Sequence, residues 1–422
     1  MANIDVLESQ INYQLGGRII ALAGGLPSID VLAQYCEGSF TMSSLDTHAG
    51  NATLNVERYN GQEVTSEKRD FSVFSSTEVV NCHDGLSKEN FTSFSYQGRQ
   101  FDIVNDNSAP LVEHIALDSY QFPSTQMCLS HWPGNTTPQA FRSHLSALST
   151  YLYTQSKAFN PDFKYIYINH YDVDSVVSLY LYLNPDLGKC MSDFLVEVAH
   201  CGDFYSYANE KVLCTALAIK NIPRHFECDT HQQAIAQAIG IMGDIIDNLD
   251  KYTHLWRADL EFIKLESQLL LVSEVTVNLD CDLTHYKLED CNETRALFKQ
   301  LKINGIDELS LIPFFNHTTT GNIFFSYGNE FLLLQMYETW VEYTQKDGHG
   351  FNDRIDLRAL ANYLKQFGEC SYTGVHTIRP RLRLSSVEGS PCDADKVIRH
   401  FMSFTRDSQC QWQQASRSEE HV

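Results

Sequence analysis

One segment limits the possible folds more than any other: residues 163–185, which read "FKYIYINHYDVDSVVSLYLYLNP". Its first part, Tyr165 to Ile168, is aromatic and β-branched, which suits a short buried strand. The later run from Ser175 to Leu183 reads as a buried helix. It stops at Asn184-Pro185, where proline lacks an amide proton and disfavours helix in the residue before it. Strand followed by helix predicts an α/β layer. In such layers the loop after a parallel strand lies at the carboxyl edge of the sheet, where ligands bind. That loop carries His170, Asp172 and Asp174.

A helix cap explains one of the three, because Asp174 or Ser175 can accept a bond from the helix's first amides. It leaves the neighbouring carboxylates Asp172 and Asp174 unexplained. Like charges at such spacing raise a pKa unless a cation or several donors compensate. A divalent ion held by His170, Asp172 and Asp174 is the simplest compensation. Oxygen-rich ligation with one imidazole suits manganese or iron(II) ahead of magnesium and zinc. An EF-hand is excluded: counted from Asp172, position five is Val176 and position six is Val177 rather than glycine. The alternative for this segment is a capped turn with a hydrogen-bonded histidine.

Two other segments supply companions. "HCGDF" places His200 and Asp203 at the end of a helix, with Gly202 letting the chain turn there. They are candidates to complete a metal shell, with His200 also a candidate catalytic group. A helix dipole acting on a terminal histidine is the plainer reading. "LSHWPGNTTP" contains a Pro133-Gly134-Asn135 turn, which leaves His131 unexplained. Beside Trp132 it suits the rim of a pocket as a general acid or base.

Residues 1–95 are rich in Gly, Ser, Thr and Asn and read as short strands joined by turns. Residues 96–300 read as the α/β domain of the acidic loop. It includes a helix opening near Thr137 and two long amphipathic helices between 230 and 272. Residues 301–422 read as a smaller α+β domain. Its expected elements are a hairpin turning at Tyr327-Gly328-Asn329, a helix capped at Asp356, a strand within "YTGVHTIRPRLRL" and a helix from about Asp393. Glu338 and Trp340 of "YETWVEY" flank that hairpin.

Charge narrows the partners. With 53 acidic against 31 basic residues the net charge is -22, which repels phosphate backbones and anionic lipid surfaces. No apolar run is long enough to cross a membrane, and the first residues resemble no secretion signal, so a cytoplasmic location is expected. The 12 cysteines include no C-x-x-C pair, which argues against a zinc ribbon. No G-x-S-x-G, H-E-x-x-H or Walker A sequence occurs.

The ordered set "LSHWPGNTTP", "NHYDVDSVVSLYLYLNP", "CGDF", "YETWVEY", "RIDLRALANYL" and "RPRLRL" resembles a bacterial family known only as a domain of unknown function. The resemblance spans about residues 97–390 and implies no activity. The strand and "HYDVD" loop are also similar to the first motif of DHH-type phosphoesterases. That likeness implies manganese ligation by His170, Asp172 and Asp174, with Asp203 as a later ligand. It stops at this loop, as no Asp-His-His triplet occurs in the chain.

The reading that follows is a metal-dependent hydrolase. It would act on a small organic or phosphorylated substrate through metal-activated water. Two alternatives remain: a non-haem Fe(II) oxidoreductase with two histidines and one carboxylate, and a non-enzymatic binding or scaffold protein.

Overall fold

The computed structural model of the chain describes residues 91–335 except 106, 107, 133 and 304, then 355–365, 369–372, 381–385 and 393–405, together with five strands between residues 11 and 75. It is an α/β structure. By its internal contacts the chain divides into two compact units, residues 1–196 with 222–244 and residues 197–221 with 245–421.

The first unit opens with strands β1 (Ile11–Leu15), β2 (Arg18–Leu22), β3 (Phe40–His48), β4 (Asn51–Tyr59) and β5 (Val64–Ser75). They form an antiparallel sheet in the order β2-β1-β5-β4-β3. The turn-rich composition of this region matches strands, as expected.

A second sheet follows, from β6 (Phe91–Tyr96), β7 (Arg99–Val104), β8 (His114–Leu117), β9 (Thr125–Leu129) and β10 (Tyr165–Tyr167). Its order is β6-β7-β10-β8-β9. β6 and β7 are an antiparallel hairpin turning at Gln97-Gly98, where both φ angles are positive. β10 is parallel to β7 and β8, and β8 is parallel to β9. Ile103, Val104, Ile115, Ala116, Leu117, Leu129, Ile166 and Tyr167 are wholly buried, as the continuous apolar runs of a parallel core require. The chain leaves β7, skips a place to lay down β8 and β9, and returns to fill the gap with β10. The carboxyl ends of β8, β9 and β10 therefore lie side by side, the place where open α/β sheets bind ligands.

Helix α1 (Ser146–Thr154) packs on α2 (Val173–Leu183), which in turn packs on β8. Asn184 is the C-cap of α2, ahead of Pro185, as the sequence predicts. The helix expected from Thr137 begins only at Ser146. Pro138 (ψ 139°) and Leu145 (ψ 130°) are extended, and between them residues 139–141 make a single tight turn. The local Thr-Pro signal opens that turn; the helix starts where a carboxylate from elsewhere receives its first amides.

Helices α3 (Lys189–Phe204), α4 (Glu210–His225) and α5 (His231–Asp247) have residues in both units. In α5 the buried residues Ala234, Ile235, Ala238, Ile239, Met242, Ile245 and Ile246 repeat at three and four positions, so the helical period was legible there.

The second unit contains α6 (Thr253–Leu271) and a mixed sheet of β11 (Glu274–Asn278), β12 (Leu283–Leu288), β13 (Asn322–Tyr327), β14 (Glu330–Gln335), β15 (Glu369–Tyr372) and β16 (Arg381–Ser385), in the order β11-β12-β13-β14-β16-β15. Its other helices are α7 (Asn292–Leu301), α8 (Ile312–His317), α9 (Leu357–Leu364) and α10 (Ala394–Thr405). β12 and β13 are parallel, joined through α7 and α8; the remaining pairs are antiparallel. The hairpin turns at Gly328-Asn329, as expected. Asp356 caps α9 through the amides of Arg358 and Ala359. The segment read as one strand within residues 372–384 contributes to two, β15 and β16, which pair with each other. Pro380, which cannot donate to a ladder, precedes the second. Phe324 and Phe325, adjacent on β13, serve opposite cores: Phe324 packs with Leu360, Leu382 and Phe401, Phe325 with Leu269, Phe298 and Phe314. Glu338 and Trp340 lie outside the described residues. No described helix is long and apolar enough to cross a membrane.

Candidate metal centre

Each of three neighbouring parallel strands ends in residues of metal-binding type. Asp118 follows β8, His131 follows β9, and His170, Asp172 and Asp174 follow β10.

Asp118 has a φ of 46°, the left-handed region that aspartate tolerates better than most residues. Its amide donates to the Leu129 carbonyl at 3.0 Å, which fixes the turn against the end of β9. Its carboxylate is 1% exposed. Oδ1 accepts the Ser146 hydroxyl at 2.7 Å and stands 3.5 Å from His131 Nε2. Oδ2 stands 3.3 Å from His170 Nε2 yet makes no well-aligned hydrogen bond.

The turn after β9 exists to hold His131. Gly134 takes a φ of 76°, and Thr137 Oγ1 both accepts the Ser130 amide and donates to the Ser130 carbonyl, each at 2.9 Å. The His131 amide donates to Ser146 Oγ at 3.1 Å. Its ring Nδ1 lies 2.8 Å from the His144 carbonyl, an acceptor, so Nδ1 carries a proton and Nε2 faces Asp118. The side chain is 2% exposed.

His170 repeats the pattern. Nδ1 lies 2.8 Å from Asn169 Oδ1, and Nε2 lies 2.9 Å from Asp172 Oδ2. The Trp132 ring stands 5.1 Å from the imidazole, centre to centre. Burial opposes a charged ring here, but Asp172 and Asp118 outweigh it and hold the His170 pKa well above its ordinary value.

The two aspartates of the loop do different work. Asp172, rather than Asp174 or Ser175, is the N-cap of α2. Its Oδ1 accepts the Ser175 amide at 2.7 Å, and Ser175 Oγ accepts the Asp172 amide at 3.1 Å. Burial pushes its carboxyl up, but His170 and the Ser175 amide more than reverse this, to about 2. Asp174 caps a helix to which it does not belong. It accepts the first amides of α1, Ser146 at 2.9 Å and Ala147 at 2.8 Å, where Leu145 has no side-chain acceptor to offer. Burial and the charges of Asp118 and Asp172 hold its carboxyl well above the usual range, against the pull of those amides.

These side chains form two groups whose ligand atoms lie within 4.8 Å of one another: Asp118 with His131 and Asp174, and Asp118 with His170 and Asp172. The first is sealed. In the second, His170 and Asp172 are 30% and 37% exposed at the side chain. Asp118 belongs to both. His200 and Asp203, half-buried near the end of α3, belong to neither; the His200 ring packs 4.8 Å from that of Phe204.

Asp118 is not among the residues that the sequence patterns single out. Its signal was "HIALD", a fully buried strand closed by an acid, the same grammar as the loop after β10.

Parallel strands ending on clustered carboxylates and imidazoles define an α/β protein with a candidate divalent-metal centre. The chain belongs to the family of unknown function DUF6687, whose model matches residues 99–401. No curated protein and no solved structure matches it.

Proposed function

We propose that the chain is a metal-dependent hydrolase whose centre holds two neighbouring divalent ions, with Asp118 shared between them. The observation that carries this reading is the division of one buried carboxylate between two groups: Oδ1 faces His131, and Oδ2 faces His170. Capping accounts for Asp172 and Asp174, each of which completes a helix N-terminus. It does not account for Asp118, a buried carboxylate whose Oδ2 makes no well-aligned hydrogen bond and faces the His170 ring at 3.3 Å, a place where a cation could replace the proton on that ring.

The donor set fits a metal. Both histidines rest Nδ1 on an oxygen acceptor, the outer bond that orients a ligating imidazole, and turn Nε2 toward Asp118. Each group offers one imidazole and two carboxylates, which suits manganese or iron(II). This also favours hydrolysis over the Fe(II) oxidoreductase alternative, which uses two histidines and one carboxylate. Bound there, the ions would supply Lewis acidity and lower the pKa of water.

His131 suits a ligand better than a proton carrier, because it is sealed and its Nδ1 is taken by the His144 carbonyl. A substrate would meet the half-exposed side, where His170, Asp172 and Trp132 lie together; a small organic or phosphorylated molecule remains the proposed class. The test is turnover of simple phosphate mono- and diesters and carboxylic esters by metal-stripped protein, with and without added Mn(II) or Fe(II). Turnover that requires metal and is lost in Asp118→Asn supports the reading. Turnover that ignores both metal and substitution contradicts it.

A further inference from the structure

Strand β11 is the edge of the second unit's sheet, and among the described residues β12 is its one strand neighbour. Edges of this kind are ordinarily blunted by lysine, proline or a bulge, because their open amides and carbonyls invite another strand. β11 reads "EVTVN" and has no lysine or proline. Its β12 pairing runs without a register shift. Of the eight exposed large hydrophobic side chains among the described residues, two lie on this strand, Val275 (49%) and Val277 (54%), and two lie close to it in the chain, Leu279 (81%) directly after it and Leu271 (85%) at the end of α6.

We infer that β11 is a self-association surface, pairing antiparallel with β11 of a second copy of this chain so that two sheets become one. The charge pattern selects that occupant and that direction. Over residues 271–279 the one charged side chain is Glu274, and it is paired with Lys287 on β12 at 3.3 Å. For a chain with a net charge of -22, a nearly neutral apolar edge lowers the repulsion that two copies meet on approach. Centred on Thr276, antiparallel pairing sets Val275 of each copy opposite Val277 of the other and Glu274 opposite Asn278. No like charges meet, and the β-branched pairs lie on one face. A parallel, in-register copy would instead stack Glu274 on Glu274. The two-fold arrangement is the self-complementary contact that closes a dimer without leading to a filament.

The test uses the full chain. Light scattering on a sizing column should give twice the chain mass at micromolar concentration for the native protein and the single-chain mass for Val277→Lys, with matching circular dichroism. Thr276→Cys provides a second reading independent of that variant's folding. The two-fold axis brings the paired Cα atoms to roughly 4.5–5.5 Å, within disulfide reach, so mild oxidation should link Cys to Cys at position 276, located by peptide mapping. A native protein that stays monomeric overturns the inference. So does a dimer that Val277→Lys leaves intact or whose position-276 cysteines fail to link.

Discussion

Asp118 and His131 face each other at 3.5 Å, Oδ1 to Nε2, with both side chains sealed from solvent. Nδ1 of that ring donates to the His144 carbonyl, so Nε2 is the ring atom turned on the carboxylate. Beside them the His170 and Asp174 pKa values are both held well above their ordinary ranges, and such ligands must shed their protons to bind a metal. Protein stripped of metal should therefore hold protons that metal displaces. Adding Mn(II) in weakly buffered solution should release roughly one to two protons per chain, read with a pH indicator. Binding without proton release would place the ion elsewhere.

Asp174 also has a purely structural duty. Asp174→Ala leaves the Ser146 and Ala147 amides of α1 unbonded in a buried setting, so metal-free protein should lose on the order of 3 kcal/mol. Asp174→Asn keeps an acceptor and should lose less. Urea denaturation in the presence of chelator gives both values, and equal losses would mean the carboxylate does not cap α1.

Ser146 touches three of the candidate ligands without being one. Its hydroxyl donates to Asp118 and accepts from the His131 amide, while its own amide donates to Asp174. Ser146→Ala should retain the fold and weaken metal affinity about tenfold, measured by chelator competition. Unchanged affinity would reduce Ser146 to a packing residue.

In the second unit, burial pushes the Glu266 carboxyl up to about 7, although Ser310 and the Leu311 amide bond to it and pull the other way. A group whose pKa is raised by folding contributes stability below its unfolded value, and that contribution is lost as pH rises through the folded value. Over pH 5 to 8 the native protein should lose on the order of 3 kcal/mol from this residue. Glu266→Gln, which imitates the protonated side chain, should remove that slope and be the more stable form at pH 8. Parallel pH profiles for the two proteins would contradict the assignment.

The parts of this structure that could be read from sequence are those with local causes. β10 and α2 show in their apolar runs, α5 in its period, and the hairpin in Gly328-Asn329. The order β7-β10-β8-β9 could not be read, because strand insertion depends on contacts distant in sequence. For the same reason α1 was expected too early: its N-terminus is completed by Asp174 of α2, and no local residue announces that. His170, Asp172 and Asp174 were visible as a group, but their division into two sets was hidden, since the residue that divides them is Asp118. His200 and Asp203 show the converse. A helix-ending histidine with an acid three residues on reads alike in sequence whether or not it belongs to such a group, and these two are in neither.

The shared carboxylate is tested most directly by counting metal. Elemental mass spectrometry of protein reconstituted with Mn(II) or Fe(II) and then desalted should find about two ions per chain. Asp172→Ala, which alters only the half-exposed group, should retain the ion of the sealed group, while Asp118→Asn should lose both. Native protein that retains no metal, or an Asp118→Asn variant that retains as much as the native chain, would contradict the account.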